Sequence, residues 1–200
     1  MDKKYLDLEG FPTNLLNGSA DGSLRTSYSV IENENYTIGK NAFAEGYSTA
    51  APGLASHAEG YMAFAYGNYS HAEGYDVAAR GIASHVEGFE TAAYGNYSHV
   101  EGYLSDASGG ASHAEGGATH ASGGGSHAEG WSTTASGENS HAEGYSTTAS
   151  GAYSHAEGWS TTASGNYQHV QGSYNITDTT SLHIVGNGTR TNHSNAHTLD

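Results

Sequence analysis

The chain has no cysteine, so no disulfide framework holds it together. Cations are few: 6 Lys plus Arg stand against 21 Asp plus Glu, a formal net charge of -15 with histidine neutral. That balance removes the basic footprint that nucleic-acid binding needs, and it opposes an anionic membrane surface. No run approaches the ~18 consecutive apolar residues of a membrane-spanning helix. Residues 1–10 carry Lys3 and Lys4 with no apolar stretch behind them, so no secretory signal is expected there. Large aliphatic side chains are scarce, and a Leu/Ile/Val core of ordinary size cannot be built. Backbone ladders and small side chains have to hold the fold.

What the chain has instead is glycine, 29 of 200 residues, with 15 Tyr and 13 His. Glycine so far above the usual ~7%, without a collagen triplet, points to low complexity or to a turn-rich repeat. The spacing decides for the repeat. Glycine recurs every seven residues from Gly39 through Gly46, Gly53 and Gly60 to Gly172, misses at Thr179 and returns at Gly186. Two alternating heptads make a 14-residue unit, clearest in Ser140-His-Ala-Glu-Gly-Tyr-Ser-Thr-Thr-Ala-Ser-Gly-Ala-Tyr153. Histidine keeps one register at 57, 71, 85, 99, 113, 127, 141, 155, 169 and 183, and Phe43 holds that place one unit earlier.

A period of seven suggests a coiled coil, but helical heptads need apolar a and d positions. One glycine per heptad, at ~1 kcal/mol each, would abolish a helix. Within each heptad the alternation has period two, as a strand requires. Ala58 and Ser56 share one face, with Glu59 and His57 on the other. Likewise Ala135 and Thr133 oppose Ser136 and Thr134. The face without bulk is expected to point into a very narrow interior. Two short strands joined at glycine-permitted bends then make one 14-residue coil. The fold expected is all-β, a parallel β-roll or β-solenoid; coils stacked at ~4.8 Å from about residue 39 to 186 would give a rod of roughly 50 Å.

The Ser-His-Ala-Glu-Gly and Ser-Thr-Thr-Ala-Ser-Gly units resemble the 14-residue repeats of trimeric autotransporter adhesin heads, which form left-handed parallel β-rolls packed as tight trimers. In that family the first half-repeat reads Ser-Val-Ala-Ile-Gly, with Val and Ile facing the trimer core. His57 and Glu59 stand at those two positions, as do their equivalents in every coil to His155 and Glu157. The chain is also similar to phage and prophage tail-fibre or appendage proteins of Gram-positive hosts. That similarity lies in Asn41-Ala-Phe-Ala-Glu-Gly46, the Ser-His-Ala-Glu-Gly units, Gln168-His-Val-Gln-Gly-Ser-Tyr-Asn-Ile176, His183-Ile-Val-Gly-Asn-Gly-Thr189 and Ser194-Asn-Ala-His-Thr-Leu-Asp200. The opening Met1-Asp-Lys-Lys-Tyr-Leu-Asp-Leu-Glu-Gly10 resembles the N-termini of phage structural proteins. The resemblance implies a left-handed coil, a homotrimer and a C-terminal self-cleaving intramolecular chaperone beyond Asp200.

Histidine and glutamate two apart share a strand face, and the trimer-axis candidates are His57, Glu59, His71, Glu73, His85, Glu87, His99, Glu101, His113, Glu115, His127, Glu129, His141, Glu143, His155 and Glu157. Three readings compete. In the first, they line a threefold axis as hydrogen-bonded rings, since a buried charge needs a partner and imidazole can supply one. In the second, they form a solvated outer face. In the third, His57, His71, His85, His99, His113, His127, His141 and His155 hold metal ions incidentally, imidazole and carboxylate both suiting zinc and related ions, with no single specific site. A His-x-Glu pair also occurs in zinc deaminases, but their cysteines are missing here. Catalysis needs one asymmetric constellation in a pocket, and near-copies of one pair along a rod are the opposite. No enzyme activity and no cofactor are expected.

Aromatic residues follow the repeat. Tyr61, Tyr75, Phe89, Tyr103, Trp131, Tyr145 and Trp159 come directly after one glycine column, and Tyr69, Tyr97, Tyr153 and Tyr167 form a second series. They are expected to pack over the bends and between subunits, with a grip on sugar rings as the alternative. Residues 1–35 lack the repeat and read as an N-terminal cap or attachment segment, because solenoid ends need cover. Residues 36–186 are the roll, in whose last part Ile176 and Thr179 stand where earlier coils carry Ala and Gly. Residues 187–200 form a polar tail, expected to run along a neighbouring subunit or to fray. One narrow roll buries little apolar surface; at ~25 cal/mol per Å2 this hardly offsets an ordering cost of ~1.5 kcal/mol per residue, so the trimer is the expected folding unit.

The leading functional expectation is a structural fibre or stalk segment of a phage or prophage tail appendage, located in the virion and supporting attachment to a host glycan or protein receptor. The alternative is a bacterial surface adhesin head, at the cell surface. A remote third is an ice-binding solenoid using Thr134, Thr148 and Thr162. No nucleic-acid partner and no membrane insertion are expected.

Overall fold

A computed structural model describes residues 24–26 and 38–199 of the chain. Within it the repeat winds into a parallel β-solenoid of about ten coils, and no helix occurs among the described residues. Strand residues of the roll pair with those fourteen further on: His57 with His71, Glu59 with Glu73 and Tyr61 with Tyr75. The same register runs through His113, His127, His141 and His155. Two early coils hold nine-residue strands, His57–Ala65 and His71–Ala79. Later coils split into a five-residue strand such as His127–Trp131 and a two-residue strand such as Thr134–Ala135. The ladder binds each coil to the next: the N–H of His71 donates to Ser84 O, and that of His127 to Ser140 O, both at 2.9 Å.

Four side chains per coil point inward, and all are small. Around one coil they are Ser126, Ala128, Thr133 and Ala135, each at most 1% exposed. Ala58 and Ser56 are buried as the alternation predicts, while His57 and Glu59 lie on the half-exposed outer face. Val86, Val100, Val170 and Ile184 widen the column that elsewhere holds alanine, Val77 stands in the column that elsewhere holds mostly threonine, and Gln168 takes the place of a buried serine. Several buried serines serve the bends, whereas the hydroxyls of Ser126, Ser140, Thr119, Thr133 and Thr147 make no such bond. Ser70 Oγ donates to Gly67 O at 2.7 Å, and Ser98 and Ser154 do the same to Gly95 and Gly151. A buried hydroxyl so engaged avoids the desolvation penalty of an unpaired one.

The ends depart from the pattern. Of the segment expected to cap the N-terminal end, the part described is Leu24–Thr26, which pairs in parallel with Phe43–Glu45; the rest of residues 1–35 lies outside the described residues. At the other end the tail does not run outward. Asn195–Leu199 folds back antiparallel to His183–Asn187, with a bulge at Val185/Gly186. The final coil would otherwise leave a row of backbone donors and acceptors unpaired, and its own downstream chain is the nearest partner. Just before it, Thr179 breaks the glycine column and Gln168 replaces the buried serine. The Gln168 amide is 1% exposed. Its oxygen accepts from the N–H groups of Ser164 and Gly165, and its NH2 donates to Asp178 O and Ser181 O. Asp178 in turn accepts from the N–H of Ser181 and of Thr180, and these bonds hold its carboxyl below the usual aspartate range.

Candidate functional site: the histidine and glutamate ladder

The outer face opposite the alanine column carries the chemistry. Because the backbone register is fourteen and strand side chains alternate, every histidine of the series falls directly above the last. The rings stack: centroids are 4.8 Å apart for His57 and His71, and 4.7 Å for His99 and His113, for His113 and His127, and for His141 and His155. The ring planes of His99 and His113 differ by 2°. The stack ends with tilted rings at His169 and His183, 5.2 Å apart. Below it Phe43 continues the column, 5.2 Å from His57.

Glutamate forms a parallel column two residues along, and the pairing changes partway up. In the lower coils the nearest carboxylate is in the same coil, with Nε2 of His57 at 3.5 Å from Glu59, His71 at 3.9 Å from Glu73 and His113 at 3.7 Å from Glu115. From His141 upward the imidazole meets the glutamate of the coil before it. His141 contacts Glu129 at 3.2 Å, His155 contacts Glu143 at 3.0 Å, and His169 contacts Glu157 at 3.2 Å. The Nε2 atoms of His57, His71, His85, His99, His113 and His127 are shielded from solvent without a hydrogen-bond partner.

Charge on this stack is opposed from within. Burial pushes the His71 imidazole below the ordinary histidine range, and His57 and His85 on either side add to this; Glu73 and Glu87 offset it in part. His113 is lowered by burial and by His127, against Glu115, Glu101 and Glu129. At neutral pH these two rings are therefore neutral, and their glutamate contacts are polar contacts rather than ion pairs.

The aromatic series is a second column. Tyr47, Tyr61, Tyr75 and Phe89 stack at 4.8–4.9 Å. The sequence interrupts the series at Gly117, yet the column stays covered. A Cβ on Gly117 would lie 2.4 Å from Trp131, because the indole leans across that coil, toward Tyr103 at 6.5 Å. Tyr69, Tyr97, Tyr153 and Tyr167 all point outward, and the last two stack at 5.3 Å. Thr134, Thr148 and Thr162 stand in register as a ladder of three rungs, bounded by His120 below.

Two contacts escaped the sequence reading. The Arg80 guanidinium lies over Tyr66 at 5.0 Å and Tyr94 at 5.5 Å, one coil to either side. His120 Nδ1 meets the Asp106 carboxylate of the coil before. Both are visible as 14-residue spacings once every column, and not only the repeated ones, is read down the coil. No known protein family matches the chain, and no curated protein matches it.

Proposed function

We propose that this chain is a structural segment of a trimeric fibre in a phage or prophage tail appendage, with three rolls side by side and the His/Glu faces turned toward the shared axis. The observation that carries this reading is the unfinished polar face: six successive Nε2 atoms that make no hydrogen bond within the chain, three of them with only a longer glutamate contact. A buried polar atom without a partner costs about 1–3 kcal/mol, and a neighbouring copy presenting the same face at the same coil spacing would satisfy it once the imidazoles turn toward the axis. The interior supports a structural role, being filled with alanine, serine, threonine and valine along its length. The exposed aromatic columns add apolar area for contacts between subunits or with the host surface.

The test is the solution mass of the full chain, together with disulfide trapping in a His99→Cys variant. A mass three times that of the 20.7 kDa chain is expected, with oxidation linking subunits at His99→Cys. A stable folded monomer would overturn the fibre reading. A trimer that fails to cross-link would place a different face on the axis.

A further inference from the structure

We infer that the coils from His113 to His155 bind divalent transition-metal cations of the zinc, nickel or copper type. Each ion is held by the histidines of two consecutive coils and the glutamate between them. The inference concerns the same face as the fibre reading but does not need the trimer, because every ligand comes from one chain.

Among the described residues four groups have the geometry. Three carry two imidazoles each: His113 with Glu115 and His127, His127 with Glu129 and His141, and His141 with Glu143 and His155; the fourth, Glu45 with His57 and Glu59, has a single imidazole and falls outside the two-histidine set. In each, one donor atom per residue lies within 4.8 Å of the other two. Donors sharing an ion at ~2.1 Å stand roughly 3–4 Å apart, so closure by about 1 Å completes the set. These side chains are only half-buried; the movement tilts imidazoles out of a stack spaced at 4.7–4.8 Å, while the ladder fixes the backbone. Two imidazoles and one carboxylate are a donor set that zinc, nickel and copper favour over magnesium or calcium.

The cost of binding differs along the run. His113 and His127 present Nε2 lone pairs with no hydrogen-bond partner to give up. His141 and His155 exchange contacts of 3.2 and 3.0 Å to Glu129 and Glu143 for bonds to the ion. In both cases the ion's charge meets a column of carboxylates.

Shared ligands set the stoichiometry. The first and third triads have no residue in common, whereas the middle one takes His127 from the first and His141 from the third. An Nε2 lone pair serves one ion, so two of the three triads fill together. The run therefore binds two ions per chain and not one per histidine.

The experiment is calorimetric titration of the chelator-treated full chain with Zn2+ at neutral pH and physiological salt, with Co2+ absorption as a second readout. Two ions per chain and visible bands of mixed nitrogen and oxygen ligation are expected. The Glu115→Gln/Glu143→Gln double variant should bind one ion in place of two, at the His127–Glu129–His141 triad that it leaves intact. Glu73→Gln should leave binding unchanged, since His71, Glu73 and His85 form no such triad. Absence of binding, undiminished binding in the double variant, or an equal loss in Glu73→Gln would each overturn the inference, the last by showing diffuse attraction to the acidic column. Should the double variant not fold, the Co2+ bands of the parent decide, and their absence overturns it. A monomer that binds two ions would sink the fibre reading alone.

Discussion

A methyl group added to Gly137 would lie 2.0 Å from the carbonyl oxygen of Gly151 in the next coil. That contact is with backbone and cannot be relieved by a side-chain rotation, so the coils would have to part. Gly137→Ala is expected to cost about 3 kcal/mol, the upper range for overpacking. Gly124 meets nothing within 4 Å, and Gly124→Ala should leave the melting temperature nearly unchanged. Thermal unfolding of the two variants checks both, and equal effects would mean that glycine matters here for chain entropy alone. Histidine gives the second prediction at this scale. His71 is held below the ordinary range by burial and by His57 and His85, with Glu73 and Glu87 opposing. As pH falls through about 6.5, the unfolded chain takes up a proton that the folded one resists. The stability this difference represents is full above that pH and is lost as pH drops toward the folded value. In metal-free protein, His71→Gln should therefore flatten the fall in melting temperature between about pH 7 and pH 5. An unchanged slope would show that His71 protonates as easily folded as unfolded.

One coil is the unit that this chain repeats, and its two glycine columns are not equivalent. Gly60, Gly74 and Gly88 take φ values of +117°, +134° and +116°, a region that L side chains rarely adopt. Gly53, Gly67 and Gly81 lie outside that region and are glycine because the next coil's carbonyl stands about 2 Å from where a Cβ would be. A heptad is thus half a unit in sequence and not a unit in space. Deleting residues 127–140 removes one whole coil and returns every column to register. Deleting residues 127–133 sets histidine and glutamate over the Thr134–Ala135 series and exchanges the two glycine environments. The first variant should fold with the loss of about one inter-coil interface; the second should lose cooperative unfolding. Circular dichroism melts separate the two, and equal tolerance of both deletions would refute the inequivalence.

For the whole molecule, strand type, coil length, the inward alanine and serine columns and the outward His/Glu face were all legible in the chain, because a strict 14-residue period leaves a stacked strand few ways to place its side chains. Ala58 buried and His57 outward follow from alternation alone. The sequence could not settle what depends on the path between coils. Whether an imidazole meets the glutamate of its own coil, as His113 does, or of the coil before, as His155 does, turns on how the side chains settle between near-identical rungs. The same holds for Trp131 leaning over Gly117 and for Arg80 between two tyrosines. The tail Asn195–Leu199 reads as a polar extension with no repeat. Only the folded final coil, with its edge of unpaired backbone groups, decides that it turns back as an antiparallel strand. Periodicity by itself determined which side chains share a column. The tertiary structure decided which of them touch, because contact depends on distances between coils that no spacing along the chain encodes.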